Sequence, residues 1–583
     1  MSEARAFLDV TQSVLGRRWV GPTATEERQA EALAQATGLP DALCRLLARR
    51  GVPPEEAERF LTPALRDLLP DPHGLRDAER AAARLVEAAR RGERIAIFGD
   101  YDVDGAASAA LLIDWLRTMG REATLYIPDR LAEGYGPNAP AMERLAASHE
   151  LIICVDCGIL AHDALAAAAG ADVLVLDHHT GGETLPRAHA VVDPNRQDET
   201  GALGHLCAAG VVFLVLVEAG RQLRAAGRAG PDLLRLLDLV ALATVADVAP
   251  LVGVNRALVR QGLAVMARRE RPGLRALADA ARLTSAPGAH HLGFVLGPRV
   301  NAGGRIGQSD LGARLLSTES RSEAEAIAAR LETLNTERRE IETQVRDAAM
   351  AQAEARGLDG PLVWAAGEGW HPGVLGIVAS RLKEATNRPA IAIALDSDYG
   401  TGSGRSVAGV DLGAAVQRLM AEGHLVKGGG HPMAAGLTVE RRALEPAMAR
   451  LGDLLARQGA GAAGPADLRL DGLLMPGAAT PELISRLEAA GPFGAGAPAP
   501  RFAFADMAVH STRRIGANHL RLSFGDGAGT RLDAVAFGAF DGPLGPLIEG
   551  HAGMRLHLAG RLEINDWGGR RRVQLRLEDA ARA

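Results

Sequence analysis

IAIFGDYDVDG, residues 95–105, decides the fold. An uncharged run, Ile95 to Gly99, leads straight into Asp100, Asp102 and Asp104, spaced two apart and closed by Gly105. Such a run reads as a strand buried on both faces, as in a parallel sheet. Two further runs repeat the pattern: LIICVDCG (151–158) delivers Asp156, and VLVLDHHT (173–180) delivers Asp177, His178 and His179. Ala- and Leu-rich helical segments alternate with these runs from 94 to about 255, which makes βαβ units. Ligands of open α/β sheets bind at the carboxyl edge of the strands. Carboxylates converging there repel one another unless cations lie between them. The edge therefore predicts a metal-dependent enzyme.

Working outward, residues 1–75 are helical in pattern, with turn punctuation at Gly51-Val52-Pro53-Pro54, and 76–318 carry the acidic motifs. The stretch 319–358 is polar and Gly-free until its end, so it predicts one long connecting helix. An α/β pattern resumes over 359–460 with PLVWAAG and AIAIAL. After a Gly/Ala/Pro-rich linker at 458–467, the part 461–583 has short alternating runs such as HLRLSF and predicts a small all-β module. Over 501–583 there are 12 Arg against 9 Asp/Glu, a mild basic excess that suits a strand-feeding role. Trp567 and Phe524 are candidate stacking residues in that module, with core packing the commoner fate of Phe524.

The 583 residues suffice for several domains, and the net charge of −6 excludes a generally basic nucleic-acid coat while leaving room for a local basic groove. Four cysteines (Cys44, Cys154, Cys157, Cys207) are too few for a disulfide scaffold and point to a reducing cytoplasm. Cys154 and Cys157 flank Asp156 as C-x-x-C, either a redox pair or small residues packed near a strand end, and no second C-x-x-C completes a zinc site. MSEARAFLDV has neither the basic nor the apolar region of a secretion signal, and no uncharged run reaches membrane-spanning length, so no membrane partner is expected.

If the strand continued past Gly99, all three aspartates of the first motif would face one side, with the next helix starting from Gly105. Hard divalent cations favour such oxygens, and an EF-hand is excluded because no Glu arrives at the twelfth position. D-H-H at a strand end places one acid beside two imidazoles, a mixed set that manganese or zinc accepts. Asp247 is a lone carboxylate in LVALATVADVAPLVG, so it needs a partner, either a metal or a base such as Arg256. The second half adds donors. Gly428, Gly429 and Gly430 precede His431 and expose backbone N–H groups to a phosphate. Ser403, Arg405 and Ser406 offer hydroxyls and a guanidinium. Arg299, Asn301 and Arg305 form another Arg/Asn/Gly cluster. Together these describe an anion-binding face complementary to the acidic edge.

The order GDYDVDG, VDCG, DHH, TVADVAPL resembles the DHH family of phosphoesterases, and GPRVNAGGR, GWHPGVLGIVASRL, GSGRS and GGGHPMAAG are similar to its exonuclease branch. The segment from GPFGAGAPAPRF to LEINDWGGRRRVQL is similar to the OB-type domain of that branch. The resemblance implies an α/β protein: a parallel-sheet DHH core (76–318), a long helix (319–358), a second α/β lobe of DHHA1 type (359–460) and a C-terminal OB-type β-barrel that binds single strands (461–583). It implies two divalent cations, Mn2+ or Mg2+, on Asp102, Asp104, Asp156, His178 and Asp247. Asp156 would be the bridge, and Asp100, Asp177 and His179 additional or orienting groups. It also implies 5′-to-3′ degradation of single-stranded DNA to mononucleotides in repair and recombination, alongside a helicase and a single-strand-binding protein. Ser403 and Arg405 would hold the 5′ end together with Arg130, while Arg299, Asn301, Arg305, His371 and His431 would lie near the scissile phosphate. Two departures stand out. Phe98 occupies a place where the wider superfamily often has His, so the two metals are expected to be held unequally, and Gly496-Ala497-Pro498 replaces a usual G-N-P. The rival readings are hydrolysis of short oligonucleotides or cyclic dinucleotides, and a non-catalytic replication scaffold that kept the fold.

Overall fold

A computed structural model describes residues 6–129, 132–461, 467–527, 529–550, 555–567 and 570–583. The chain divides into two units, one comprising 61–338 with 491–498 and the other 1–60, 339–490 and 499–583.

The first unit holds a five-stranded parallel sheet: β1 (Ile95–Gly99), β2 (Ala123–Tyr126), β3 (Leu151–Val155), β4 (Asp172–Leu176) and β5 (Ala190–Val192). Its spatial order is β2-β1-β3-β4-β5, so the chain reverses direction across the sheet between β1 and β3. Ligands bind at such a switch point. β1 and β3 are buried along their whole length because helices cover both faces. On one face pack α1 (Ala78–Arg91), α2 (Val103–Thr118), α3 (Ala208–Ala225) and α4 (Leu237–Ala246), which share one core with the sheet residues Ile95, Ile97, Ile153 and Leu174. Phe98 points into the core of the other face with Met142, Cys154 and Cys157, stacked on Tyr126 at 5.3 Å. The two flanking thiols are thus packing groups, and burial raises their pKa values, as expected of inert cysteines.

The register puts the edge flush. Gly99 pairs with Val155, Val155 with Leu176, and Leu176 with Val192. In all four strands the next residue is an aspartate: Asp100, Asp156, Asp177, Asp193. The first strand does not continue through its motif, however. It ends at Gly99, and α2 starts at Val103 rather than at Gly105. The reason is Asp102, whose carboxylate accepts from the N–H groups of Asp104 (2.9 Å) and Gly105 (3.1 Å) and so caps the helix.

A helix, α5 (Gly297–Ile306), leads towards the long α6 (Arg321–Arg356), and the boundary between the units falls inside α6. In the second unit a five-stranded mixed sheet is made of β6 (Val363–Glu368), β7 (Ala390–Leu395), β8 (Tyr399–Arg405), β9 (Lys427–His431) and β10 (Ala434–Glu440), in the order β9-β10-β8-β7-β6. The C-terminal module closes five strands, β11 (Phe502–Ile515), β12 (His519–Gly525), β13 (Arg531–Ala536), β14 (Arg555–Trp567) and β15 (Arg570–Arg582), into a barrel, because β11 pairs with both β12 and β14. Phe524 lies in its core, edge-on to Phe504 at 5.4 Å, so it is no stacking residue. The side chain of Trp567 lies outside the described residues.

The N-terminal segment is not purely helical. Trp19 and Val20 form a short strand on Leu468 and Arg469, and the Trp19 indole is buried beside the barrel, donating to Asp579 at 3.0 Å. A single large aromatic ties this segment to the C-terminal module. Among the described residues no helix is long and apolar enough to cross a membrane.

Candidate metal centre and phosphate-binding face

The acidic edge gathers three donor groups whose ligand atoms lie within 4.8 Å of one another: Asp104, His178 and Asp247; Asp100, Asp102 and Asp156; and Asp156, His178 and His179. Asp156 and His178 are each shared by two of them, which is the geometry a bridged pair of cations requires. The Asp104 carboxylate accepts from the N–H groups of Ala208 (2.7 Å) and Ala209 (2.8 Å) at the start of α3 and stays buried, so its orientation is fixed by a helix N-terminus. Asp247 ends α4, and the next residue, Val248, is 69% exposed with φ +61°, an uncommon place for a β-branched residue. The Arg256 guanidinium donates to the carbonyl of Gly491.

Asp156 is itself in the left-handed region, φ +59°, and Gly158 beyond it has φ +120°. Its Oδ1 is buried and takes no hydrogen bond, with His178 Nε2 3.3 Å away. Burial and the neighbouring carboxylates push Asp156 and Asp104 above the usual carboxylate range and Asp247 up to about 9. Buried oxygens that repel one another and lack donors are what divalent cations satisfy, so the residues present fit two of them. The three groups differ in chemistry. Two contain the His178 imidazole; the third, Asp100, Asp102 and Asp156, is oxygen only and so suits a hard ion.

Asp177 is placed differently from a metal ligand. Its Oδ2 accepts from Ile159 N–H (3.0 Å), and its Oδ1 from His178 N–H (2.8 Å) and His179 Nδ1 (2.7 Å). With both oxygens occupied, it orients His179. Burial works against the charged form of each, yet their mutual hydrogen bond holds Asp177 below its usual value and raises His179 to about 9.

Three residues that the sequence reading passed over complete the edge. Tyr135 lies between two left-handed glycines, Gly134 (φ +89°) and Gly136 (φ +72°). They aim its hydroxyl to donate to the Asp156 carbonyl at 3.2 Å, with His179 Nε2 at 3.3 Å. Although the ring is 56% exposed, desolvation around the hydroxyl and the Asp156 carboxylate disfavour its ionised form, so it remains a donor. Asp193 is the fully buried fourth aspartate of the row, pushed up to about 7 by burial and by Asp177. Asn195 donates to the His178 carbonyl at 2.6 Å. The available signals were G-Y-G and the aspartate after the short apolar run AVV.

The Arg299, Asn301 and Arg305 cluster is helical (α5) rather than an anion loop. Arg299 is engaged by Glu332 of α6 and by the Val295 carbonyl. Asn301 Oδ1 accepts from Val103 N–H at 3.0 Å, so it supports the first acidic motif. Gly304 lets α5 approach, because a Cβ there would lie 2.4 Å from the Tyr101 ring. Arg305 is half-buried on the same helix.

In the second unit, the glycine run and the Ser/Arg stretch are strands rather than loops. Alternation along β8 turns Gly400, Gly402 and Gly404 to the core and Thr401, Ser403 and Arg405 to the opposite face. By register, Gly436 of β10 and Gly429 of β9 join that face, with Lys427 and His431 alongside. A Cβ on Gly429 would meet nothing within 4 Å, whereas one on Gly428 would lie 2.9 Å from Val416 and one on Gly430 2.3 Å from the Ala434 carbonyl. So only the middle glycine keeps the face open, and its neighbours serve close packing. Ser406 turns inward: it is buried and donates to the Val410 carbonyl at 2.7 Å, so it does not join the face. His371 caps the turn after β6, its Nδ1 accepting from Gly373 N–H, and His431 Nδ1 accepts from Met433 N–H. Arg130 lies outside the described residues.

Comparison with known proteins agrees with this architecture. Residues 94–244 match the DHH family, N-terminal domain; 359–457 the DHHA1 domain; and 470–579 the RecJ OB domain. The single-stranded-DNA-specific exonuclease RecJ of Salmonella typhimurium is 37% identical over 576 residues, covering 95% of this chain and 98% of that protein. The protein of the same name from Dickeya dadantii is 39% identical over 570 residues, covering 93% and 96%. The crystal structure of RecJ with Mn2+ from Thermus thermophilus superposes with a TM-score of 0.80 at 31% identity, covering 97% of this chain and 79% of that one.

Proposed function

The chain belongs to the family of RecJ single-stranded-DNA-specific exonucleases, and from that premise we propose that it degrades single-stranded DNA from the 5′ end, releasing 5′-mononucleotides with two divalent cations held at the acidic edge. It is a metal-dependent nuclease with a DHH core, a DHHA1 domain and an OB barrel. The observation that carries the site is the flush row of aspartates with Asp156 common to two ligand groups.

Asp104, His178, Asp247 and Asp156 would hold one cation; Asp100, Asp102 and Asp156 the other. Bound there, Mn2+ or Mg2+ supplies Lewis-acid polarisation of the phosphodiester and eases deprotonation of the attacking water. The protein's own groups do the rest. Asp177 fixes the His179 ring through Nδ1 and favours its charged form, in which Nε2 also carries a proton towards the edge. Tyr135 pins the strained Asp156 backbone. Asn301 holds the Asp102–Asp104 turn. Ser403, Arg405, His431 and the open backbone at Gly429 suit a terminal phosphate, which wants planar guanidinium and N–H donors. The barrel carries a cavity of about 730 Å3 lined by Arg513, Arg521 and Arg572, a basic path for single strands. A helicase and a single-strand-binding protein would supply and present the strand, in the cytoplasm.

The test uses one oligonucleotide labelled at either end, with Mn2+ or with chelator. A 5′ label should be released as mononucleotide at once and a 3′ label only late, with duplex resistant and chelator silencing both. Equal loss from both ends, or turnover in chelator, overturns the reading.

A further inference from the structure

The most exposed large apolar side chain in the described part of the first unit is Phe294, 75% accessible. The local sequence forces it outward. Pro298, one residue after the start of α5, has no N–H to give, and its ring would collide with the carbonyl four residues back, that of Phe294. The turn before it opens into a π-helix over Leu292–Leu296, closed by Gly297 N–H on the Leu292 carbonyl. π-turns of this kind are frequent at functional sites. Leu292 and Leu296 point into the core and are fully buried, while Phe294 projects and stacks on His290, ring centroids 4.9 Å apart and 25° from parallel. The result is a stacked pair of rings exposed to solvent.

Its place is fixed from two sides. Gly293 and Gly297 lie against Val245 and Ala246, the residues just before Asp247; a Cβ on either would come within 3.4 Å and 3.2 Å of them. Seven residues after Phe294 on the same helical run, Asn301 accepts from Val103 in the first acidic motif. By helix rise that is about 11 Å, roughly one or two nucleotides. Two rings are far too small for a protein partner, which needs about 800 Å2 per side, but they match the face of one heterocycle.

We propose that His290 and Phe294 form a nucleobase-stacking platform beside the metal edge, holding a base within the first nucleotides of the bound strand. The proposal rests on the reading of the chain as a single-strand nuclease. Every base has a π-face, so such a platform grips the strand without reading its sequence.

The test replaces Phe294 by Ala, and separately by Leu and Trp, in the full-length protein. It compares kcat/KM on ordinary single strands with strands carrying one abasic residue at each of the first three positions. The expected result is a loss of about tenfold for Phe294→Ala on the ordinary strand, much less on the strand abasic at the platform position, and retention by Phe294→Trp. Phe294→Leu, which keeps the apolar bulk, should behave as Ala. In parallel, 2-aminopurine at those positions of a phosphorothioate strand should be quenched on binding wild type and not the Ala variant. An equal loss on ordinary and abasic strands, no quenching at any position, or a changed oligomeric state with unchanged base dependence overturns the platform. If wild type fails to degrade single strands at all, it is the nuclease reading that fails.

Discussion

Two regions of the molecule gather the candidate functional groups, and they are built on opposite principles. The acidic edge of the first unit is made of side chains, two of them fixed by backbone donors: Asp104 by Ala208 and Ala209, Asp177 by Ile159 and His178. The face on β8–β10 of the second unit is made by omitting side chains, with Gly429 and Gly436 bare between Lys427, Ser403, Arg405 and His431. A site of the first kind tolerates almost no change of residue type, because orientation and charge reside in the same atoms. In the second kind each glycine has its own tolerance, set by what lies above it.

The contrast can be broken most decisively at Asp156. Asp156→Ala removes the group shared by both ligand sets, and nuclease activity should fall by at least about a thousandfold while the circular dichroism spectrum stays native. Turnover near wild type would mean that the edge is not the reaction centre. Next is Tyr135→Phe, which deletes one hydroxyl from the support of Asp156. Losses of orienting groups cost about 10–100-fold in metal affinity or activity, so Mn2+ titration by calorimetry should weaken by about tenfold; an unchanged isotherm would show that the hydroxyl contributes nothing there.

The glycine face is sharpened by a pair of variants. Gly430→Ala puts a Cβ 2.3 Å from the Ala434 carbonyl at φ +153°, so the unit should lose about 2 kcal/mol or more of stability. Gly429→Ala meets open space and should melt like wild type, yet weaken binding of a 5′-phosphorylated strand. Reversed outcomes would move the open position.

The smallest expected effect is on pH. Asp247 is raised to about 9 in the fold against an ordinary carboxyl value near 4 when unfolded. Between those limits the folded chain keeps a proton that the unfolded chain has shed, so stability declines as pH rises. His179, raised to about 9, acts in the same direction: its contribution is complete below the ordinary imidazole value near 6.5 and is lost as pH climbs through 9. The metal-free protein should therefore melt at progressively lower temperature from pH 6 to 9, and Mn2+ should flatten the trend; a metal-free melting point that rises with pH would contradict both shifts.

Much of the acidic edge was legible because its information is local. An apolar run ending in Asp reads the same in any register, and Asp102, Asp104, Asp156, His178 and Asp247 converge as their motifs suggested. The departures fall where a tertiary contact or a strand end, rather than the local motif, decides where a side chain goes. Nothing in its motif announces that Arg299 is engaged by Glu332, 33 residues on. Ser406 looks like a donor until the end of β8 turns it onto Val410. Asp193 was hidden because its strand is only three residues long. The helical reading of residues 1–75 missed the Trp19 strand because its partner, Leu468, lies at the far end of the chain.

The flush carboxyl edge has one more consequence, for insertions and deletions. One residue added within β1, β3 or β4 advances its terminal aspartate by about 3.3 Å and turns it to the opposite face of the sheet. The core would lose one strand's packing and the edge one carboxylate, and no rotamer change could restore either. Length changes in this chain should therefore be confined to the loops between these strands, and the strand lengths themselves act as the ruler that keeps the carboxylates level.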